Sequence, residues 1–149
     1  MSKLSDCGYN ALIIKTGDET MLPKATNIRI EDGVLYWENH TDLLTVKEAQ
    51  IITNEIRHLV ERSSLKGLVV DNRKLAKAWS PEVDRVWIDL MAFLPQHALK
   101  TATVCQTVIN KLQFNYISSQ AGTADTVKAF VDEERDALCL FLQVQEVRL

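Results

Sequence analysis

The chain runs to 149 residues, of which 46% are apolar and 25% charged, with a net charge of −3 at neutral pH. This fits one globular domain with a sizeable core and excludes a disordered or low-complexity chain. Acids and bases are interspersed with no basic block to neutralise phosphates, and no apolar run is long enough to cross a bilayer, so nucleic acid and a membrane span are both disfavoured.

Residues 1–9 read as a loose terminus. Met1 to Cys7 lacks the apolar stretch of a signal peptide, which points to the cytoplasm. Residues 11–15 fit a first strand, and a polar loop follows to Lys24. Residues 27–30 alternate with period two, and 34–38 form another strand-like run. The Asp32-Gly33 pair between them predicts an antiparallel hairpin. Thr45 with Glu48 is a capping box. Val46, Ala49, Ile52, Ile56, Leu59 and Val60 then mark one helix face to about Ser63.

The stretch from Gly67 to Pro95 organises the rest. Leu68-Val69-Val70 is short, apolar and β-rich, as a strand covered on both faces should be. Asp71-Asn72-Arg73 ends it abruptly. In an open parallel sheet, the crevice beyond the carboxyl ends of the strands is the usual ligand side. Ser80 is a good N-cap, Pro81 suits the first helical position, and Glu82 suits the helix dipole. Val83, Val86, Trp87, Leu90, Met91 and Leu94 form the stripe of this helix, and Pro95 stops it.

Residues 101–105 read as a buried strand. Ile109, Leu112, Tyr116 and Ile117 predict a helix to about Gln120, and Ala121-Gly122 ends it. Residues 127–131 are a further strand. Asp132 is expected to cap a last helix, with Glu133 and Glu134 in its first turn and Ala137, Leu138, Phe141 and Leu142 on its apolar face. Residues 144–149 fit either a short strand or a tail. The alternation of helices and strands is that of βαβ units with right-handed crossovers. The expected fold is α/β: a single mixed, mostly parallel β-sheet with an N-terminal antiparallel hairpin and about four helices.

Several of these residues also carry a resemblance. Val70-Asp71-Asn72-Arg73, Trp79, Trp87, Phe93-Leu94-Pro95 and Ala98-Leu99-Lys100 before a strand resemble the SpoIIAA-like branch of the STAS-like domains. The resemblance covers about residues 28–145, within a single domain 1–149. It implies a small bacterial α/β signalling domain. In anti-sigma-factor antagonists of that family, a serine at the N-terminus of the helix after this strand is phosphorylated and a kinase is the partner. Relatives of the branch are also compared with CRAL-TRIO-type lipid-binding folds. The antagonists carry an Asp-Ser-Ser-Gly-like tract directly after the strand. Here Asp71-Asn72-Arg73-Lys74-Leu75 stands in its place, and the serine at a helix start is Ser80.

Ser80 is therefore the candidate phosphoacceptor, where orphan helix N–H groups would stabilise the anion; its simpler reading is an ordinary N-cap. Asp71, Asn72 and Arg73 would face a partner or ligand, or else form an Asp–Arg pair and an Asx turn that ties down the loop. Trp79 and Trp87, with Met91 and Phe93, would line an apolar pocket or anchor an interface, with Trp87 the one that periodicity assigns to the core. Cys7, Cys105 and Cys139 form no CxxC pair and no metal spacing. They read as reduced thiols, with Cys105 and Cys139 as small core fillers. His40, His58 and His97 are scattered, so no metal site is expected. Pairing Cys105 or Ser80 with His97 for nucleophilic catalysis has no local support. No glycine-rich phosphate loop is present, and no cofactor is implied.

The sequence reading is a non-catalytic STAS-like regulatory or protein-interaction module in the cytoplasm. Its working surface runs from Asp71 to Asp84 and takes in Asn72, Arg73, Trp79 and Ser80. A homodimer through the hairpin edge fits the same pattern. The alternative is a carrier or sensor of an apolar small molecule or lipid, with a CRAL-TRIO-like pocket between the sheet and the helices at 81–94 and 109–120.

Overall fold

The computed structural model describes residues 22–149 apart from residue 78. The strand expected at 11–15, the loose terminus and Cys7 lie outside the described residues. Among the described residues five strands form one sheet: β1 (Thr26–Glu31), β2 (Val34–Asn39), β3 (Gly67–Asn72), β4 (Thr101–Cys105) and β5 (Val127–Val131). Their order across the sheet is their order along the chain. β1 runs antiparallel to β2, and β2 through β5 are parallel. Asp32 and Gly33 join the hairpin with φ of 52° and 82°. Positive φ at both positions is what a two-residue turn needs to match the strand twist.

Among the described residues four helices connect or follow these strands: α1 (Val46–Arg62), α2 (Pro81–Phe93), α3 (Val108–Gln120) and α4 (Arg135–Leu142). Three crossovers stepping the same way across the sheet place α1, α2 and α3 on one face. α1 and α2 bury Ile52, Ile56, Leu59, Val83, Trp87 and Leu90 against Leu35, Trp37, Leu68 and Val70. On the opposite face Leu138 and Leu142 of α4 pack with Tyr36, Val69, Ala102, Val104 and Phe130. A Cβ on Gly67 would meet the Leu142 side chain at 3.2 Å, so glycine there lets the end of α4 close on the sheet.

The Thr45 capping box forms as the sequence requires. The Glu48 N–H donates to Thr45 Oγ1 at 3.1 Å, and the Thr45 N–H to Glu48 Oε1 at 2.9 Å. Ser80 caps α2 by accepting from the Val83 N–H at 3.3 Å. One expectation is corrected, and of the two alternatives open for residues 144–149 the tail is the one that forms. Asp132 does not cap α4: a 3-10 turn (Asp132–Glu134) intervenes, and Asp132 accepts from Arg135 at 2.8 Å. In its place Glu134 reaches back to the Val131 N–H at 3.0 Å. Residues 144–149 form no strand; Val144, Val147 and Leu149 pack on the α4 side of the core.

The orientation of α3 is the feature that its apolar spacing did not carry. The helix forms over the predicted span, yet Ile109, Leu112 and Tyr116 are 68%, 61% and 65% exposed. The side turned to the sheet carries Phe114, Asn115, Ile117 and Ser118 instead. β5 is an end strand of the sheet, and α3 seals its edge with side chains. Asn115 Oδ1 accepts from the Ala129 N–H at 2.8 Å, and Asn115 Nδ2 donates to the Ala129 carbonyl at 3.3 Å. Ser118 Oγ donates to the Val127 carbonyl at 2.8 Å. An uncovered strand edge is a row of unpaired backbone groups, and these three bonds satisfy its middle, while the Val127 and Val131 N–H groups donate to the Thr123 carbonyl and to Glu134.

Candidate functional site

The polar residues at the carboxyl ends of β2 and β3 separate into two sets because side chains alternate across a sheet. Asp71 points to the α4 side. Arg73 grips it with two parallel bonds, Nε to Oδ1 and Nη2 to Oδ2, both 2.9 Å. The Arg73 N–H also donates to Asp71 Oδ1 at 3.1 Å, making an Asx turn. Arg73 Nη1 reaches Asp132 at 3.3 Å, and Arg135 closes the cluster on Asp132. Burial pushes the Asp71 carboxyl up, but the bonds from Arg73 outweigh it and hold Asp71 below the usual carboxylate range. Asp71 and Arg73 thus tie the strand end to the loop after β5.

Asn72 points to the helical side and belongs to a different network. Trp37 Nε1 donates to Asn39 Oδ1 at 2.9 Å, and Asn39 Nδ2 donates to Asn72 Oδ1 at 2.9 Å. All three residues are buried. Trp87 packs edge-on against both Trp37 and Trp79, with centroids 4.9 Å and 5.6 Å apart and planes at 66° and 68°. Such pairs add about 0.5–1.5 kcal/mol each beyond their buried area.

These groups wall a cavity of about 70 Å³ between the sheet and helices α2 and α3. β2, β3, β4 and β5 form its floor, α2 gives Asp84, Trp87, Ile88 and Met91, and α3 gives Phe114, Ile117 and Ser118. It lies where the helices diverge, over the short side chains of Thr103 and Ala129. Among the described residues Asp84 is its one charged lining residue. Among the described residues that carboxylate has no hydrogen bond or ion pair, and burial pushes it up to about 6. Trp87 Nε1 is buried and, among the described residues, has no hydrogen-bond partner.

The predicted surface from Asp71 to Asp84 is therefore divided. Asn72, Trp79 and Asp84 line the cavity, with Trp79 buried. Asp71 and Arg73 form the ion cluster, and Ser80 is exposed at the start of α2. Trp87 and Met91 line the cavity, but Phe93 does not. Its ring lies 4.6 Å from the Arg57 guanidinium and packs at a tilt against His97, centroids 4.6 Å apart. Sequence reasoning missed Trp37, Asn39, Thr103 and Phe114. The alternation of β2 places Trp37 and Asn39 on one face, but no local pattern marks that face as a cavity wall.

The nucleophile pairings do not assemble. His97 precedes β4 while Cys105 ends it, and His97 and Ser80 stand at opposite ends of α2. Cys105 is buried, which pushes its thiol up to about 12 and away from the reactive thiolate. Cys139 is half-buried. No helix among the described residues is long and apolar enough to cross a membrane.

No family model matches the chain, and no curated protein matches it. Among solved structures, the anti-sigma factor antagonist SpoIIAA in its unphosphorylated form is similar to it. The TM-score is 0.57 at 10% sequence identity, over 82% of this chain and 100% of that one. The five-stranded mixed sheet with its N-terminal hairpin and four helices is a STAS-like fold of the SpoIIAA type.

Proposed function

We propose that this protein is a non-catalytic regulatory module of the STAS-like class, acting in bacterial cytoplasmic signalling by docking a protein partner. The observation that carries the reading is the outer face of α3. Val108, Ile109, Leu112 and Tyr116 stand exposed there in one stripe, on a helix whose inner face is occupied with the β5 edge. Clustered exposed apolar side chains of this size mark interaction surfaces, and aromatic members anchor them. The likeness to an anti-sigma factor antagonist supports the same reading. Arg73 and Ser80, on the loop and cap before α2, are the accessible remainder of the surface the sequence suggested. Ser80 remains the candidate phosphoacceptor, although Glu82 and Asp84 in the same helical turn would repel a phosphate there.

The test is photocrosslinking in the host cell. A photoreactive residue at 112 or 116 is expected to trap one defined heteromeric product, whereas one at Lys47 on the exposed start of α1 traps none. Leu112→Glu combined with Tyr116→Glu should abolish the product while leaving the circular dichroism spectrum unchanged. A product that survives those substitutions, or a self-product alone, would overturn the reading. The second would instead assign the stripe to a homodimer.

The cavity favours sensing over carrying as the form of the alternative reading. A site for a drug-sized ligand runs to roughly 300–1,000 Å³, and about 70 Å³ leaves no room for a lipid tail.

A further inference from the structure

All three tryptophans of the chain, Trp37, Trp79 and Trp87, line the one cavity between the sheet and helices α2 and α3. They come from β2, from the loop before α2 and from α2 itself. Two of them stand steeply inclined to the third. Among the described residues the wall has a single charge, Asp84, and nothing supplies it a counter-charge. A half-buried carboxylate left in this way costs folding energy, and an aromatic wall does nothing to satisfy it. What satisfies both at once is a cation with an apolar skin. Indole faces attract such a cation through their quadrupole, and the carboxylate neutralises it.

We propose that this cavity binds the head of a compact organic cation, an ammonium group carrying one to three carbons, held between Asp84 and the indoles of Trp37, Trp79 and Trp87.

The alternatives fit less well. Hard metal ions need six or more oxygen ligands or retain their waters, and one carboxylate among indoles offers neither. An anion would meet Asp84. A dry cavity known to take benzene has about 150 Å³, twice the roughly 70 Å³ present. A neutral hydrophobe would also leave Asp84 as it is. The cavity is partly open, so a longer molecule can place its ammonium head inside and its remainder in solvent. The site lies on the inner side of α3, so it stands or falls separately from the docking stripe on the outer side.

Burial alone acts on Asp84. No charged group from the strands, α1 or α3 shifts it, and its α2 neighbours Glu82 and Arg85 are exposed. Binding of a cation should therefore require Asp84 ionised. With the carboxyl at about 6, its ionised fraction falls about tenfold between about pH 7 and about pH 5.

The experiment is an NMR titration of the full chain with methylammonium chloride, at ionic strength matched with sodium chloride, reading the three indole N–H signals. Methanol, neutral and of the same size, is the comparison ligand. The expected result is a saturable shift of the indole signals by methylammonium, half-complete at a concentration on the order of millimolar for so few atoms. Methanol should produce none. Asp84→Asn should weaken binding about tenfold or more, and this variant removes an unpaired charge, so its fold is kept. Acidification from about pH 7 to about pH 5 should weaken the wild type about tenfold and leave the variant unchanged. Equal shifts with methanol, undiminished binding by Asp84→Asn, or no saturable shift of any indole would each overturn the proposal.

Discussion

Replacing Asn115 with alanine isolates the device that closes the sheet. In the folded chain the Asn115 amide holds both the N–H and the carbonyl of Ala129, at 2.8 and 3.3 Å. Ala129 is almost wholly buried. Truncation leaves a backbone donor and a backbone acceptor without partners. Each costs about 1–3 kcal/mol if water cannot reach it. The shorter side chain opens a path for water on the outer side of β5, which places the pair near the low end, about 2–4 kcal/mol together. Alanine is the better helix former by about 0.6 kcal/mol, which offsets part of the loss. The net expectation is a destabilisation of roughly 1.5–3 kcal/mol, or a fall in Tm of about 5–12 °C for a domain of this size. Urea unfolding gives the free energy, and hydrogen exchange gives its location. The Ala129 amide should be well protected in the wild type and lose that protection selectively in the variant. Gln113→Ala, on the exposed side of the same helix, should change stability by less than about 0.5 kcal/mol. An Asn115→Ala loss no greater than that control, or an Ala129 amide that stays protected, would refute the edge-sealing argument.

Two further outcomes follow from local chemistry. Asp84→Asn should stabilise the protein at neutral pH. The native carboxyl at about 6, against 3.8 unfolded, binds its proton more tightly in the folded state. Its penalty is therefore absent below about pH 4 and complete above about pH 6–7. The ceiling is about 3 kcal/mol, and solvent screening of a half-exposed group reduces it to roughly 1–1.5 kcal/mol. Urea midpoints of the two proteins should thus diverge as pH rises from about 4 to about 7, and a constant gap would contradict the assignment. Thr45→Ala should cost about 1 kcal/mol by thermal or urea unfolding, because it removes one half of the α1 capping box; no measurable loss would show that the cap is energetically idle.

The fold was legible where one local rule governs an element. The Asp32-Gly33 turn, the Thr45 capping box, the Ser80-Pro81 helix start and the apolar run of β3 each follow from backbone chemistry that neighbours cannot easily override. α3 was legible as a helix but not in its orientation. Hydrophobic spacing assumes that the apolar side meets the core. Here Asn115 and Ser118 face inward because a strand edge needs hydrogen bonds more than the interior needs methyl groups, and Ile109, Leu112 and Tyr116 are left outside. The candidate site was half legible. Asp71 and Arg73 sit two residues apart, and their pairing is local. The cavity depends on residues as distant as Trp37 and Ala129 meeting where two helices part, and no spacing along the chain encodes that separation. Asp84 was identified for its place near the cap, while its isolation from the counter-charges of the described residues is a property of the assembled wall.

Because strand order follows chain order, each new βα unit docks on the unit made just before it, and none of the described strands waits for a distant partner. Sheets whose strands are threaded between earlier ones must close long loops before any pairing is rewarded, and they fold slowly for that reason. This sheet can instead be laid down progressively as the chain leaves the ribosome, with the hairpin as its template and β5 as its final strand. α3 leaves the ribosome before the strand that it seals. The nascent intermediate therefore carries both a bare β4 edge and an undocked apolar helix, and the moment of greatest aggregation risk comes late in synthesis, just before residues 127–131 arrive.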